Sequence, residues 1–168
     1  MFGGGFLFDE STGYASFKMN GWSGNNDYLL YDYYFARTDA DNFLNQQMTL
    51  HDGGFKAYAP GAQSNKWLAA INVEIKIPFL PLKLFADAGT YHQAKTAYEG
   101  SEALVYDAGI VVSLIKNVCE VYFPFIVSKD IKNYHTANDL KFGDKIRFTF
   151  NIISLYLLNL LDQLQDSY

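Results

Sequence analysis

From Trp67 to Ile77 the chain alternates almost without error. Trp67, Ala69, Ile71, Val73, Ile75 and Ile77 occupy every second position, and Leu68, Ala70, Asn72, Glu74 and Lys76 fill the places between. The first set is apolar throughout, and the second turns polar from Asn72 onward. A period of two predicts a β-strand, because successive strand side chains point to opposite faces. Length then narrows the kind of strand. Eleven residues at about 3.3 Å each, tilted by about 40°, rise roughly 27 Å, close to the apolar band of an outer-membrane barrel. Strands of soluble domains average about five or six residues. The expected fold class is therefore all-β, an antiparallel transmembrane β-barrel.

Neighbouring stretches repeat the pattern. Leu82 to Thr90 sets Leu84, Ala86 and Ala88 against Lys83, Phe85 and Asp87. Leu104 to Leu114 sets Leu104, Tyr106, Ala108, Ile110, Val112 and Leu114 against Asp107, Gly109 and Ser113. Val118 to Val127 sets Val121, Phe123, Phe125 and Val127 against Glu120, Tyr122 and Pro124. Lys145 to Ile152 sets Ile146, Phe148, Phe150 and Ile152 against Lys145, Arg147, Thr149 and Asn151. Pro124 cannot donate a ladder bond, so a bulge or a sheet edge is expected there. The connections also alternate in length. Pro78 to Pro81 and Lys116-Asn117 are minimal, whereas Tyr91 to Ser101 and Ser128 to Lys141 read as long polar loops. Short turns at one end and long loops at the other are the asymmetry of a membrane barrel.

The N-terminal part is less regular. Phe2 to Phe8 is a short apolar run containing Gly3-Gly4-Gly5, and neither a helix signal nor a suitably spaced lysine follows to make a phosphate loop. Tyr14 to Gly21 alternates, with Ala15, Phe17 and Met19 on one side. Trp22 to Asp27 is a concentrated turn signal. In the run Tyr28 to Phe35, the set Leu29, Tyr31, Tyr33 and Phe35 reads as interfacial girdle or packing in preference to a sugar-stacking platform. Thr38 to Asn42 lacks the glycine and terminal glutamate of a calcium loop and reads as solvated. Phe43 to Leu50 is expected as another strand, and His51 to Phe55 as the turn leaving it. Together with the loop-like stretch to Lys66, these segments are expected to form an excursion away from the wall. At the other end, Leu157, Leu160, Leu161 and Leu164 recur at helical spacing, giving a short C-terminal helix, with a last strand through Leu157 as the alternative. The sum is one domain over residues 1–168 with about eight or nine strands, either a small barrel or the closing part of a larger one.

Composition agrees with this picture and excludes others. Aromatic residues make up 17% of the chain, with 13 Tyr and 14 Phe, while charged residues reach only 18%, below the usual quarter. Aromatic girdles account for the excess. A mean hydropathy of -0.08 and the lack of a long apolar run leave no transmembrane helix, which needs about 20 such residues. The net charge of -5 argues against a nucleic-acid partner. Cys119 is the only cysteine, so no internal disulfide is possible. The start, Met1-Phe2-Gly3-Gly4-Gly5, carries no basic and apolar export signal, so the expectation is a mature chain or a fragment.

Few residues suggest chemistry. His51, His92 and His135 lie far apart without a second ligand at metal spacing, and no HExxH motif or cysteine pair occurs, so no metal or cofactor is expected. Gly21-Trp22-Ser23-Gly24 falls one position short of a nucleophile elbow. Asp87 and His92 could form an acid–base pair at one end of a strand. The favoured use of the charges is structural: Lys83, Asp87, Asp107, Lys145 and Arg147 as a paired network lining a lumen.

The series Asn26-Asp27-Tyr28-Leu29, Phe35-Ala36-Arg37, Gln46-Gln47, Asp52-Gly53-Gly54-Phe55, Gln63-Ser64-Asn65-Lys66-Trp67, Leu84-Phe85-Ala86-Asp87-Ala88-Gly89-Thr90 and Lys145-Ile146-Arg147-Phe148 resembles the C-terminal region of large outer-membrane proteins of Bacteroidota. In those proteins a gluzincin (M1 aminopeptidase-like) metallopeptidase domain precedes a membrane-associated, barrel-like part. The resemblance implies a region downstream of the peptidase, with no catalytic residue to carry over, because the zinc motif is missing here. It also implies an upstream peptidase domain or another membrane subunit as partner, beside membrane lipid. The expected function is thus a non-catalytic membrane anchor or pore-like scaffold in the outer membrane of a Gram-negative bacterium. Two alternatives stand beside it: a soluble β-barrel binding an apolar ligand, and a barrel hydrolase using Asp87 and His92.

Overall fold

The computed structural model describes residues 2–8, 17–23, 43–50, 52–94, 102–116 and 118–151, with 2–8 and 22–23 described as backbone only. The chain is all-β in class. Ten strands lie among these residues: β1 Phe2–Phe8, β2 Phe17–Lys18, β3 Trp22–Ser23, β4 Met48–Thr49, β5 Gln63–Ser64, β6 Trp67–Lys76, β7 Leu82–Tyr91, β8 Val105–Ile115, β9 Cys119–Val127 and β10 Arg147–Phe150. Six of them form one antiparallel sheet in the order β1-β6-β7-β8-β9-β10. The sheet curls, and five strands make a half-barrel.

The long strands follow the sequence closely. β6 and β7 pair from Leu68↔Tyr91 to Lys76↔Lys83, and Ile77 N–H closes the hairpin on the Leu82 carbonyl at 2.9 Å. β8 and β9 meet with Ile115 opposite Cys119, and Val118 N–H donates to the Ile115 carbonyl at 3.0 Å. The expected irregularity at Pro124 is a bulge: Pro124 sits opposite Gly109 and Ile126 opposite Ala108, which leaves Phe125 as the extra residue. A Cβ at Gly109 would collide with the Phe123 carbonyl, so the close approach at the bulge requires glycine. The bulge also shifts the alternation. Val127, expected beside Phe125, instead faces Asp107 across the ladder and packs on the core.

The two faces of the sheet differ sharply. Leu68, Phe85, Asp87, Tyr91, Val105, Asp107, Val111 and Tyr122 are buried on the covered, concave side. On the other side Ile71, Ile75, Leu84, Tyr106, Leu114 and Phe125 stay 40–64% exposed. The concave side is filled by described residues of the excursion between β1 and β6, within 17–21 and 52–66. Met19, Phe55, Ala57, Ala59 and Ala62 from that excursion pack with Leu68, Tyr91, Val105 and Ile131 in one core cluster. Met19 lies against Gly89 so closely that a Cβ there would meet its sulfur at 2.7 Å. Here the excursion acts as a plug. It is held in shape by two small ladders, β2 with β5 and β3 with β4, and by a bridge between Asn20 and Phe55.

Several expectations need correction. Phe43 to Leu50 is a short 3-10 turn, Phe43–Gln46, followed by the two-residue β4. A backbone bridge from Gln47 to Phe148 brings this segment alongside β10, and Phe43 stacks on Phe148 at 5.0 Å. Phe148 is thereby buried although alternation puts it on the open side. The polar stretch Ser128 to Lys141 contains helix α1, Lys129–Ala137, with Asp130 in its first turn and His135 in its last. Asp130 suits the helix dipole, a negative group in the first turn. Lys145 does not begin a strand. It ends the short helix α2, Phe142–Lys145, and β10 starts at Arg147. The sheet holds six strands among the described residues, and residues 24–42 and 152–168, with the tyrosine run and the Leu-rich tail, lie outside them.

Candidate functional site

The covered face carries a connected set of buried charges. Alternation aims Asn72 and Glu74 of β6, Lys83 and Asp87 of β7, Asp107 and Ser113 of β8 and Glu120 and Tyr122 of β9 to this one side. Asp87 lies opposite Asn72 on one neighbour and opposite Asp107 on the other. Two like charges directly across a ladder repel unless something intervenes. The plug supplies it. Lys56 Nζ pairs with Asp87 Oδ1 at 2.9 Å, lies 3.9 Å from Glu74 and sits 5.6 Å from the centre of the Phe85 ring. The side chain of Lys56 is 2% exposed.

Two further bonds join plug and wall at the same place, and a third braces β6 against β7. Asn72 Nδ2 donates to Asp87 Oδ1 at 2.8 Å and to the Gly53 carbonyl at 3.0 Å. Ala57 N–H donates to Asp107 Oδ2. The turn that delivers these groups uses left-handed backbone at Asp52 and Gly54, with φ 53° and 66°. Farther along the face, Lys83 Nζ bridges Glu74, at 3.2 Å, and Glu120. Ser113 Oγ and Tyr122 OH also donate to Glu120, at 3.1 and 3.0 Å. The result is a ladder of charge running the length of the wall with the plug locked into its middle.

Of the lumen charges expected from sequence, Lys83, Asp87, Asp107 and Arg147 are on the covered side. Arg147 is buried, with its guanidinium 5.1 Å over the Tyr58 ring of the plug. Lys145 stands apart at the end of α2. Sequence reasoning missed Lys56, because a lysine in an irregular segment reads as solvated and nothing local marks it as buried. Glu74 and Glu120 were on the polar side of the pattern without being singled out.

The acid–base pair of Asp87 and His92 is not assembled. His92 lies five positions on from Asp87, just past the end of β7, roughly 16 Å at 3.3 Å each. Asp87 is engaged by Lys56 and Asn72, and the His92 ring meets Trp67 edge-on at 6.4 Å. Among the described residues no group of three or more His, Cys, Asp or Glu is placed to hold a metal ion.

At the long-loop end, α1 closes over the plug. His135, almost fully buried, donates from Nε2 to the Tyr58 carbonyl at 2.9 Å, and Tyr134 meets Tyr58 edge-on. Burial holds the His135 imidazole below its usual pKa, with the Tyr58 carbonyl opposing and Lys145 adding to the shift. Asp130, also buried, accepts from the Glu102 N–H at 3.0 Å and ties α1 to the β7–β8 loop. Desolvation likewise lowers Lys18 of the plug, against the opposing charge of Asp52. No protein-family model, no curated protein and no solved structure matches this chain.

Proposed function

We propose that this chain is the wall and plug of an outer-membrane-type β-barrel that serves as a membrane anchor or scaffold. The observation that carries the reading is the reversed polarity of the sheet: charges are buried on the covered face, and a continuous apolar surface is left open on the other. Water favours the opposite arrangement, whereas lipid favours this one. Strand lengths support it too, since β6 to β9 run 9–11 residues, the span of a tilted transmembrane strand.

The plug supports an anchor over a pore. Packed side chains from the excursion occupy the concave side where a channel would run, so a scaffold is favoured over an open conduit. A soluble barrel with an apolar ligand inside would need apolar stripes on the covered face, where Asp87, Asp107 and Lys56 stand instead. A role as the non-catalytic part of a larger surface protein, next to a peptidase domain or another membrane subunit, rests on the resemblance in sequence alone. Circular dichroism and size exclusion with and without a mild detergent test the proposal. A β spectrum on a monodisperse particle in detergent only is the expected result, and a compact monomer in plain buffer would overturn it.

A further inference from the structure

The short-turn end of the wall has a composition of its own. The β6–β7 turn, Ile77 to Leu82, holds Phe79 at φ 66° with its ring fully exposed, a backbone state that bulky residues seldom adopt. Pro78 and Pro81 bracket it and stiffen the turn. Leu80 and, from the adjacent strand end, Leu114 and Ile115 are exposed beside it. This apolar rim continues the outward face through Ile75 without a break in kind.

Positive charge sits in the same place. Lys76 and Lys116 are exposed and form no ion pair among the described residues, and with Phe79 and Leu80 they border a cleft of about 440 Å³. The acid lining that cleft, Glu120, is already engaged by Lys83, Ser113 and Tyr122. An apolar tip with two uncompensated lysines matches the boundary of an anionic phospholipid leaflet, where rings and aliphatic side chains enter the acyl region and ammonium groups meet phosphate.

We infer that the short-turn end, through Phe79, Leu80, Lys76 and Lys116, docks on the headgroup layer of an anionic phospholipid leaflet and fixes the orientation of the wall in the bilayer. The inference rests on the barrel reading. It adds to that reading which end meets which lipid.

The test uses the full chain in neutral detergent, titrated with phosphatidylglycerol or phosphatidylcholine and followed by native mass spectrometry. Two lysines near an anionic surface give a preference for phosphatidylglycerol of about thirtyfold at low salt, falling as salt is added. The variant Lys76→Gln/Lys116→Gln should lose that preference and keep its β spectrum in detergent. Equal binding of the two lipids by the unaltered chain would overturn the inference and leave the barrel reading standing, whereas a chain that folds without detergent would defeat both. In vesicles containing phosphatidylglycerol, Phe79→Trp should add fluorescence that lipids brominated near the headgroup quench. Quenching by aqueous iodide alone would place the tip in water, as a contact for a protein, and would overturn the inference as well.

Discussion

The two faces of β6 to β9 are made by the same strands, residue by residue in alternation, yet they solve opposite problems. On the covered face the buried acids meet polar groups: Lys56 at Asp87, Ala57 N–H at Asp107, and Lys83 between Glu74 and Glu120. On the open face Ile71, Ile75, Leu84 and Leu114 are left exposed. An apolar side chain left in water forgoes about 1.5–3 kcal/mol of burial, and a surface this continuous repeats that loss at each residue. On the barrel reading proposed above, this difference in polarity marks the boundary between water and lipid. Water is kept from the covered side by packing, and the open side is suited to lipid.

The largest effect should come from breaking the latch between plug and wall. Lys56→Ala strips Asp87 of its cation while Asp107 remains opposite, and removal of one partner from a buried pair costs about 3–5 kcal/mol. Urea unfolding of the detergent-folded chain should show that loss, and replacing both residues, Lys56→Met with Asp87→Leu, should restore much of it. If Lys56→Ala is neutral, the latch is not what holds the plug.

That latch was half legible in sequence. The wall's charges were visible because a period of two sorts them: Lys83, Asp87 and Asp107 fall on the side opposite Leu84, Ala86, Tyr106 and Ala108. Their partner was not, since Lys56 sits among Gly53, Gly54, Phe55 and Ala57 with no period to assign it a face. The excursion itself was readable as an interruption of the wall, but its destination inside the curve depends on contacts across many residues, such as Met19 on Gly89. Pro124 announced an irregularity, yet only the register shows that the extra residue is Phe125 and that Val127 turns inward. Helix α1 is not legible because its buried side is Ile131 with the polar Asp130 and His135, too few apolar residues for a helical period to stand out.

A smaller effect tests the wall without its charges. Gly109→Ala pushes a methyl into the Phe123 carbonyl and the Phe85 ring at the bulge. Overpacking of this kind costs about 1–3 kcal/mol. The same unfolding experiment should register it, with the β8–β9 hairpin losing hydrogen-exchange protection first. Unchanged stability would show that the bulge can relax and that the close pairing there is not demanding.

The smallest expected effect lies at the long-loop end, on neither face. His135 is held neutral by burial, so its folded pKa lies below its unfolded one. The unfolded chain then binds more protons as pH falls, so this contribution is fully present above about pH 6.5 and is lost progressively below it. Proteolysis in or beside α1 should accelerate between about pH 7.5 and about pH 5.5, and His135→Gln should flatten that dependence. An unaltered pH profile in the variant would assign the effect to other groups.

The central claim is that the open face is a lipid face, and one substitution reads it directly. Ile71→Arg places a charge near the middle of β6 on that face, where Ile71 is 57% exposed and pairs with Ala88. In a bilayer an arginine at mid-depth costs about 2–4 kcal/mol, falling to about 0–1 near either interface, whereas on a water-exposed surface the same change is nearly neutral. Folding free energy in vesicles should therefore drop by about 2–4 kcal/mol for Ile71→Arg and by much less for an arginine at Ile75, nearer the turn. Equal and negligible changes at both positions would contradict the account and return the apolar face to water or to a protein partner.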